Sequence, residues 1–353
     1  MTMHSKFITK FSMTTALLAL AWPLSAADGD QALLDKAKAL FQPLPATAAL
    51  ENSSLTPTRV ALGKALFFET RVSNDGRLAC ATCHNPAYHG ADSLALSVGI
   101  NGKVLPRNAH TVFNTALLVA QHYGGNRVSV EDQAVKALLS PLAYGNTSYE
   151  QVEKKLAQLG YQSWFDKAYP GEAKPLSAEN WGKAIGAFER TLLTPSPFDK
   201  YLKGDTKALS PLAKKGLTTF IDTGCAGCHN GVTVGGQSYQ KFGITQDYWK
   251  LTGSTEKEIF KGYDKGRFHD TKNEADAFMF KVPQLRNVAA TPPYFHDGSV
   301  ATLPQAVRIM GQLQLGKDLS DEDVNAIVAF LESLTGEVPA NFAQVPQLPV
   351  APH

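Results

Sequence analysis

The sequence predicts a mainly α-helical protein built from two domains of one kind. Two observations point there. A stretch reading CATCHN at 80–85 returns as CAGCHN at 225–230, and the two copies together use all four cysteines of the 353-residue chain. Capped, amphipathic stretches stand beside each copy, so the chain outside the motifs reads as helix-rich, with a few short strands confined to loops.

Taken in order, the N-terminus comes first. MTMHSKFITKFSMTTALLALAWPLSAADGD combines a weakly basic start, an apolar centre and a small-residue end. It reads as a secretory signal peptide over residues 1–27, cut near Ala27, and it is set aside from the fold. Its apolar run is shorter than the roughly 20 residues that a spanning helix needs, and no second run of spanning length follows. The expected destination is a bacterial periplasm. The first domain is placed at 28–195 and the second at 196–353, because LTPSPFDKYLKGDTKALSP around Ser196 is rich in Pro, Gly and polar residues. Helices are expected from Thr56 to Phe68 and from Glu150 to Leu193. Beyond the boundary, Ser210 as N-cap and Pro211 in the first turn begin a helix, whose apolar residues Leu212, Leu217 and Phe220 lead into the second motif. Near the end, Ser320 and Asp323 stand in capping-box relation. They open a helix with Val324, Ile327, Val328 and Leu331 on one face, stopped by Gly336.

Four cysteines in an exported chain would ordinarily form two disulfides. A redox Cys-x-x-Cys pair expects a βαβ setting that neither segment offers, and it has no need of the following His. A four-thiolate zinc site leaves His84 and His229 unexplained at one offset. Covalent c-type haem uses every residue: two thiols add to the vinyl groups and the adjacent His reaches the iron. Two haems are therefore expected, one on Cys80, Cys83 and His84, the other on Cys225, Cys228 and His229. A helix before the motif and one closing the domain is what a cytochrome c fold needs to cover a flat apolar ring, so the fold class is two cytochrome c-like domains. Outside the leader the chain has two methionines, Met279 and Met310. A thioether ligand raises the potential of a haem iron, which suits an electron-entry site. Met279 lies in the alternating AFMFKV and reads as core; Met310 ends an amphipathic stretch before a glycine.

With these residues in hand, the chain resembles the bacterial di-haem cytochrome c peroxidase family, which includes the enzyme that matures methylamine dehydrogenase. The resemblance rests on both haem motifs and on SVG at 97–99, PRNAHTVFN at 106–114, EDQA at 131–134 and SPLAYGN at 140–146. Its densest block is FKVPQLRNVAATPPYFHDGSVATLPQAVRIMG, from Phe280 to Gly311. It implies that the C-terminal haem takes electrons from a small donor protein, a c-type cytochrome or cupredoxin, and that the N-terminal haem meets hydrogen peroxide. Met310 stands where the family has its second iron ligand. Calcium sits between the family's domains, and the matching positions are the Asn108 side chain and the Thr291 and Pro293 carbonyls, oxygen ligands suited to that ion.

The N-terminal site departs from the family in three places. Many members carry a His after the SVG run, where this chain has Ile100, which cannot ligate iron; the resting haem should be open or water-bound. The family's distal Glu is replaced by Ala143, removing a group that would carry a proton between peroxide oxygens. A Trp between the haems is replaced by Tyr123, which loses a proton on oxidation. Gln133 matches the family's active-site glutamine. His110 stands where Pro would be usual and could supply the missing acid–base function, or could be a loop histidine bonded to backbone. His89 and His122 have weaker claims. His296 matches a residue that supports the site from behind. Arg107 and Arg286 could pair with haem propionates or equally lie at the surface.

The reading is thus a periplasmic di-haem peroxidase. Two alternatives stay open: an oxidase that modifies a partner protein or organic molecule through high-valent iron, and an electron carrier whose first haem is vestigial. A net charge of +2 with both signs interspersed points to no nucleic acid and no membrane surface as main partner. A homodimer is compatible with this reading.

Overall fold

The computed structural model describes residues 1–2, 26–48 and 55–350, so the signal peptide expected at 1–27 lies outside the described residues but for its ends. No helix among them is long and apolar enough to cross a membrane.

Each domain is a set of helices gathered around one copy of the Cys-x-x-Cys-His motif. A long α1 (Ala26–Leu40) precedes the first domain. There α2 (Pro57–Phe67) begins at Thr56, whose hydroxyl accepts from the Arg59 amide, with Pro57 in the first turn. The motif itself forms the single turn α3 (Cys80–Cys83). The segment expected as helical from Glu150 to Leu193 is three helices, α5 (Tyr149–Gln158), α6 (Gln162–Ala168) and α7 (Ala178–Glu189), after α4 (Val130–Ala137). The breaks fall at Gly160 and at Pro170-Gly171, where both glycines take the left-handed conformation that a side chain disfavours.

The second domain runs from α8 (Pro197–Leu202) and α9 (Pro211–Thr223) through the short α10 (Tyr248–Thr252) and α11 (Phe268–Thr271) to α12 (Leu303–Leu315) and α13 (Asp321–Glu332). A last turn, α14 (Ala340–Ala343), follows. Strands β1 (Tyr239–Lys241) and β2 (Met279–Lys281) pair antiparallel with Gln240 opposite Phe280. Ser210 caps α9 by accepting from the Ala213 amide at 3.1 Å. Leu212, expected on the apolar face of α9, is exposed; Ala213, Leu217 and Phe220 make that face. Ser320 caps α13 through the Asp323 amide, yet Gly336 does not stop the helix, which ends at Glu332. Gly336 instead hands its amide to Asn287 Oδ1 at 3.0 Å and packs on the Thr194 carbonyl, so its lack of a side chain serves a close approach between segments.

One device recurs in both domains. Where α2 crosses α7, a Cβ on Gly63 would lie 1.8 Å from the Ala184 carbonyl; where α9 crosses α13, a Cβ on Gly216 would lie 1.8 Å from the Ala326 carbonyl. Backbones touching at a glycine let α2 pack closely on α7 and α9 on α13.

The two cores change over between Leu192 and Phe198, around Ser196. The chain ends nevertheless cross that boundary. Leu34, Ala37 and Phe41 of α1 and the residue after it join the second core, with Phe41 edge-on to Phe198 at 5.4 Å. Phe342, Val338 and Leu348 of the tail pack on the first core, Phe342 against Phe67 and Phe113. Amphipathic periodicity marks which face of α1 is buried, not which domain covers it.

At the junction Arg286, 1% exposed, makes a two-armed ion pair with Asp199, 2% exposed, at 2.8 and 3.0 Å. Its Nε donates to the Val232 carbonyl at 2.7 Å. Asp199 also accepts from the Leu44 and Ser196 amides. Burial alone would raise its pKa, but Arg286 and these donors hold it below the usual carboxylate value. Arg107 is likewise committed, to Asp264 at 2.7 and 2.8 Å. Both guanidiniums thus brace the fold through buried carboxylates, and Arg286 also lines the larger of the cavities described below.

Candidate functional site

Two cavities lie where the motifs are. The larger, about 260 Å³, is lined by Cys225, Cys228, His229 and Met310 at one end and by Tyr123, His110 and His122 at the other. The smaller, about 70 Å³, holds His84, His110, His122, Gln133 and Glu189. His110 and His122 belong to both, so the cavities meet at these side chains.

At the first motif, His84 Nδ1 lies 3.1 Å from the Gly90 carbonyl and 3.0 Å from the His110 carbonyl. Engaged in this way, Nδ1 carries the proton and Nε2 is left to bind a metal, the arrangement by which ligating histidines are usually oriented. Burial holds the ring neutral by lowering its pKa. Cys80 Sγ sits 3.4 Å from the Tyr144 hydroxyl, and burial pushes its thiol up to about 12. All four cysteines are free, and no group of three or more His, Cys, Asp or Glu side chains among the described residues converges as a metal site would require.

At the second motif, His229 Nδ1 is buried without a hydrogen bond, and burial lowers the ring's pKa to about 4. Met310, on α12, faces the same cavity, while Met279 pairs across the sheet in β2 and lines neither cavity. The chemistry of the donors fits one haem at each motif, the second with His229 and Met310 as ligands.

Between the motifs, the His110 ring stacks on Tyr123 with centroids 3.9 Å apart. His110 Nε2 is buried without a partner, and burial, with Lys281 and His122 nearby, holds its pKa well below the ordinary value. The His110 carbonyl meets Nδ1 of His84, while its side chain lines both cavities. Tyr123 donates to the Phe295 carbonyl at 3.4 Å, and burial raises its pKa strongly. His296 lines neither cavity: it is buried among Phe280, Trp249 and Tyr123, and its carbonyl accepts from the Asn108 amide. Ile100 is buried against Gly145, and Ala143 packs on the first core; neither faces a cavity. His89, in a left-handed turn, lines neither cavity. Asn108, Thr291 and Pro293 all border the larger cavity, where a cation would rest on amide and main-chain oxygens.

Two residues were missed in the sequence. Lys281, 2% exposed in the larger cavity, has no hydrogen bond from its Nζ among the described residues, and burial lowers its pKa to about 8; it could take an anionic group of a bound cofactor. Glu189 is the second. The available signal was a charge inside an apolar run, FMFKV and AIGAFER.

Comparisons with known proteins fall in line with this geometry. Residues 57–207 match the family described as di-haem cytochrome c peroxidase, and residues 213–335 match cytochrome c. The chain is 43% identical over 338 residues to the cytochrome c551 peroxidase of Pseudomonas aeruginosa, covering 95% of this chain and 94% of that protein. It is 32% identical to the methylamine utilization protein MauG of Methylorubrum extorquens, covering 92% and 90%. A solved MauG-like protein associated with microbial copper homeostasis shares the fold with a TM-score of 0.73, at 24% identity, covering 85% of this chain and 96% of that one.

Proposed function

The chain belongs to the di-haem cytochrome c peroxidase family, and from that membership we propose that it reduces hydrogen peroxide to water with electrons from a small donor protein. The observation that carries the reading is the pair of motif cavities meeting at His110, on whose ring Tyr123 of the larger cavity stacks. The higher identity to a named peroxidase than to MauG, 43% against 32%, favours peroxide reduction over modification of a partner.

When bound, the haems supply iron that can pass electrons and react with peroxide. The protein's residues do the rest. Cys80, Cys83, Cys225 and Cys228 anchor the two rings. Carbonyls of Gly90 and His110 hold His84 in the tautomer that offers Nε2. His229 and Met310 ligate the entry site, and the thioether keeps its potential high enough to accept from a c-type cytochrome or cupredoxin. The Tyr123–His110 stack, where the cavities meet, could carry electrons between the sites. Gln133 faces the peroxide cavity and can orient the substrate through its amide. Calcium at Asn108, Thr291 and Pro293 would tie the domains together, and export places the protein in the periplasm.

Steady-state consumption of peroxide with a reduced small cytochrome tests this. Turnover that requires both partners supports it; no turnover, with both haems present, would sink it.

A further inference from the structure

Peroxide reduction needs a group that moves a proton from one peroxide oxygen to the other. Ala143 cannot do so and lies outside both cavities, and His110, though it lines the smaller one, has its ring stacked on Tyr123. A carboxyl group does line the smaller cavity. Glu189, the last residue of α7, is 6% exposed, and its carboxyl has no hydrogen-bond partner among the described residues. Its place is set by the neighbouring side chain: Arg190 pairs with Glu131 of α4 at 2.8 and 3.1 Å. That clamp joins α7 to α4 one residue from Glu189 and two from Gln133, so both side chains are presented to one cavity.

We propose that Glu189 is the acid–base residue for peroxide at the His84 site, the role left vacant by Ala143. The proposal rests on the peroxidase reading above. Glu189 takes a proton from one peroxide oxygen and returns it to the other, which leaves as water when the O–O bond breaks. With two electrons from the donor and two protons from solvent, peroxide ends as two waters. The titratable groups around it are Glu131 and Arg190 on the clamped helices, Cys80 and His84 of the motif, and His110 and His122 of the following loop. Burial, then Glu131, raises the carboxyl to about 8, with Arg190 opposing. That value lies close to neutral pH, where exchange of a proton in both directions is easiest.

Hydrogen cyanide must also lose a proton to bind ferric haem, and it does so without turnover. In the di-haem protein, cyanide association should show a pH step that Glu189→Gln removes and Glu189→Asp retains. The peroxide rate should fall by about 10²–10⁴-fold in Glu189→Gln and recover in part in Glu189→Asp. A Glu189→Gln protein with both haems, wild-type cyanide pH dependence and wild-type peroxide rate overturns the proposal. Should the variants not fold, the wild type still decides: cyanide should shift a protonated-carboxyl infrared band, and a carboxyl region indifferent to cyanide also overturns it. Wild-type protein without peroxide turnover would refute the peroxidase reading alone, since the cyanide step reports on Glu189 regardless.

Discussion

Replacing Arg286 with Met separates a bracing role from a cofactor-binding one. The change keeps an unbranched apolar stem and removes the guanidinium. It leaves the Asp199 carboxylate buried with the Leu44 and Ser196 amides and the Ser196 hydroxyl as donors but no countercharge. It also frees the Val232 carbonyl, four residues past Cys228. Breaking a buried ion pair from one side costs about 3–5 kcal/mol, against a total stability of roughly 5–15 kcal/mol for a domain. At about 1.4 kcal/mol per tenfold, that is roughly two to three and a half orders of magnitude in the unfolding equilibrium constant. Urea unfolding followed by far-ultraviolet circular dichroism at neutral pH should show the loss. The sign with pH is also set. Asp199 is depressed in the fold, so its contribution is present above the unfolded carboxylate pKa and is lost as pH falls through the folded value. The wild type should therefore lose the advantage over Arg286→Met on acidification. A variant within 1 kcal/mol of wild type at neutral pH, but with a shifted C-terminal haem potential, would refute the bracing role and restore Arg286 as a propionate partner.

Other outcomes follow from the two cavities. Met310→His should lower the potential of the C-terminal haem and abolish the near-infrared sulfur-to-iron band of the ferric protein, while Met279→Leu leaves the band intact; the reverse result would reassign the ligand. With Ile100 at the position of the family's distal His, the as-isolated diferric protein should hold one high-spin haem and bind cyanide without prior reduction; two low-spin haems in its electron paramagnetic resonance spectrum would contradict this. Tyr123→Trp should preserve inter-haem electron transfer, whereas Tyr123→Ala, which deletes the ring stacked on His110, should slow it in stopped-flow records; unchanged transfer in the Ala variant would place the path elsewhere. Gly63→Ala should destabilise the first domain by driving a methyl into the Ala184 carbonyl, and a melting temperature equal to wild type would show that α2 and α7 can part freely.

The chain by itself determined the chemistry that is local. Spacing within Cys80–His84 and Cys225–His229 specifies haem attachment because thiol, thiol and imidazole must reach one ring from consecutive turns. Ser210, Thr56 and Ser320 mark helix starts because a cap needs no distant partner. Periodicity also separates Met310, within α12, from Met279 in the alternating strand β2. Tertiary structure decided whatever depends on which segments meet. Arg107 and Arg286 look alike in sequence to any exposed cation, and only folding supplies Asp264 and Asp199, 157 and 87 residues away. Leu212 turned out to solvent because the face of α9 that is buried depends on where α13 lies. Glu189 went unremarked for the same reason: its burial beside the smaller cavity comes from packing between helices, which no local pattern of residues encodes.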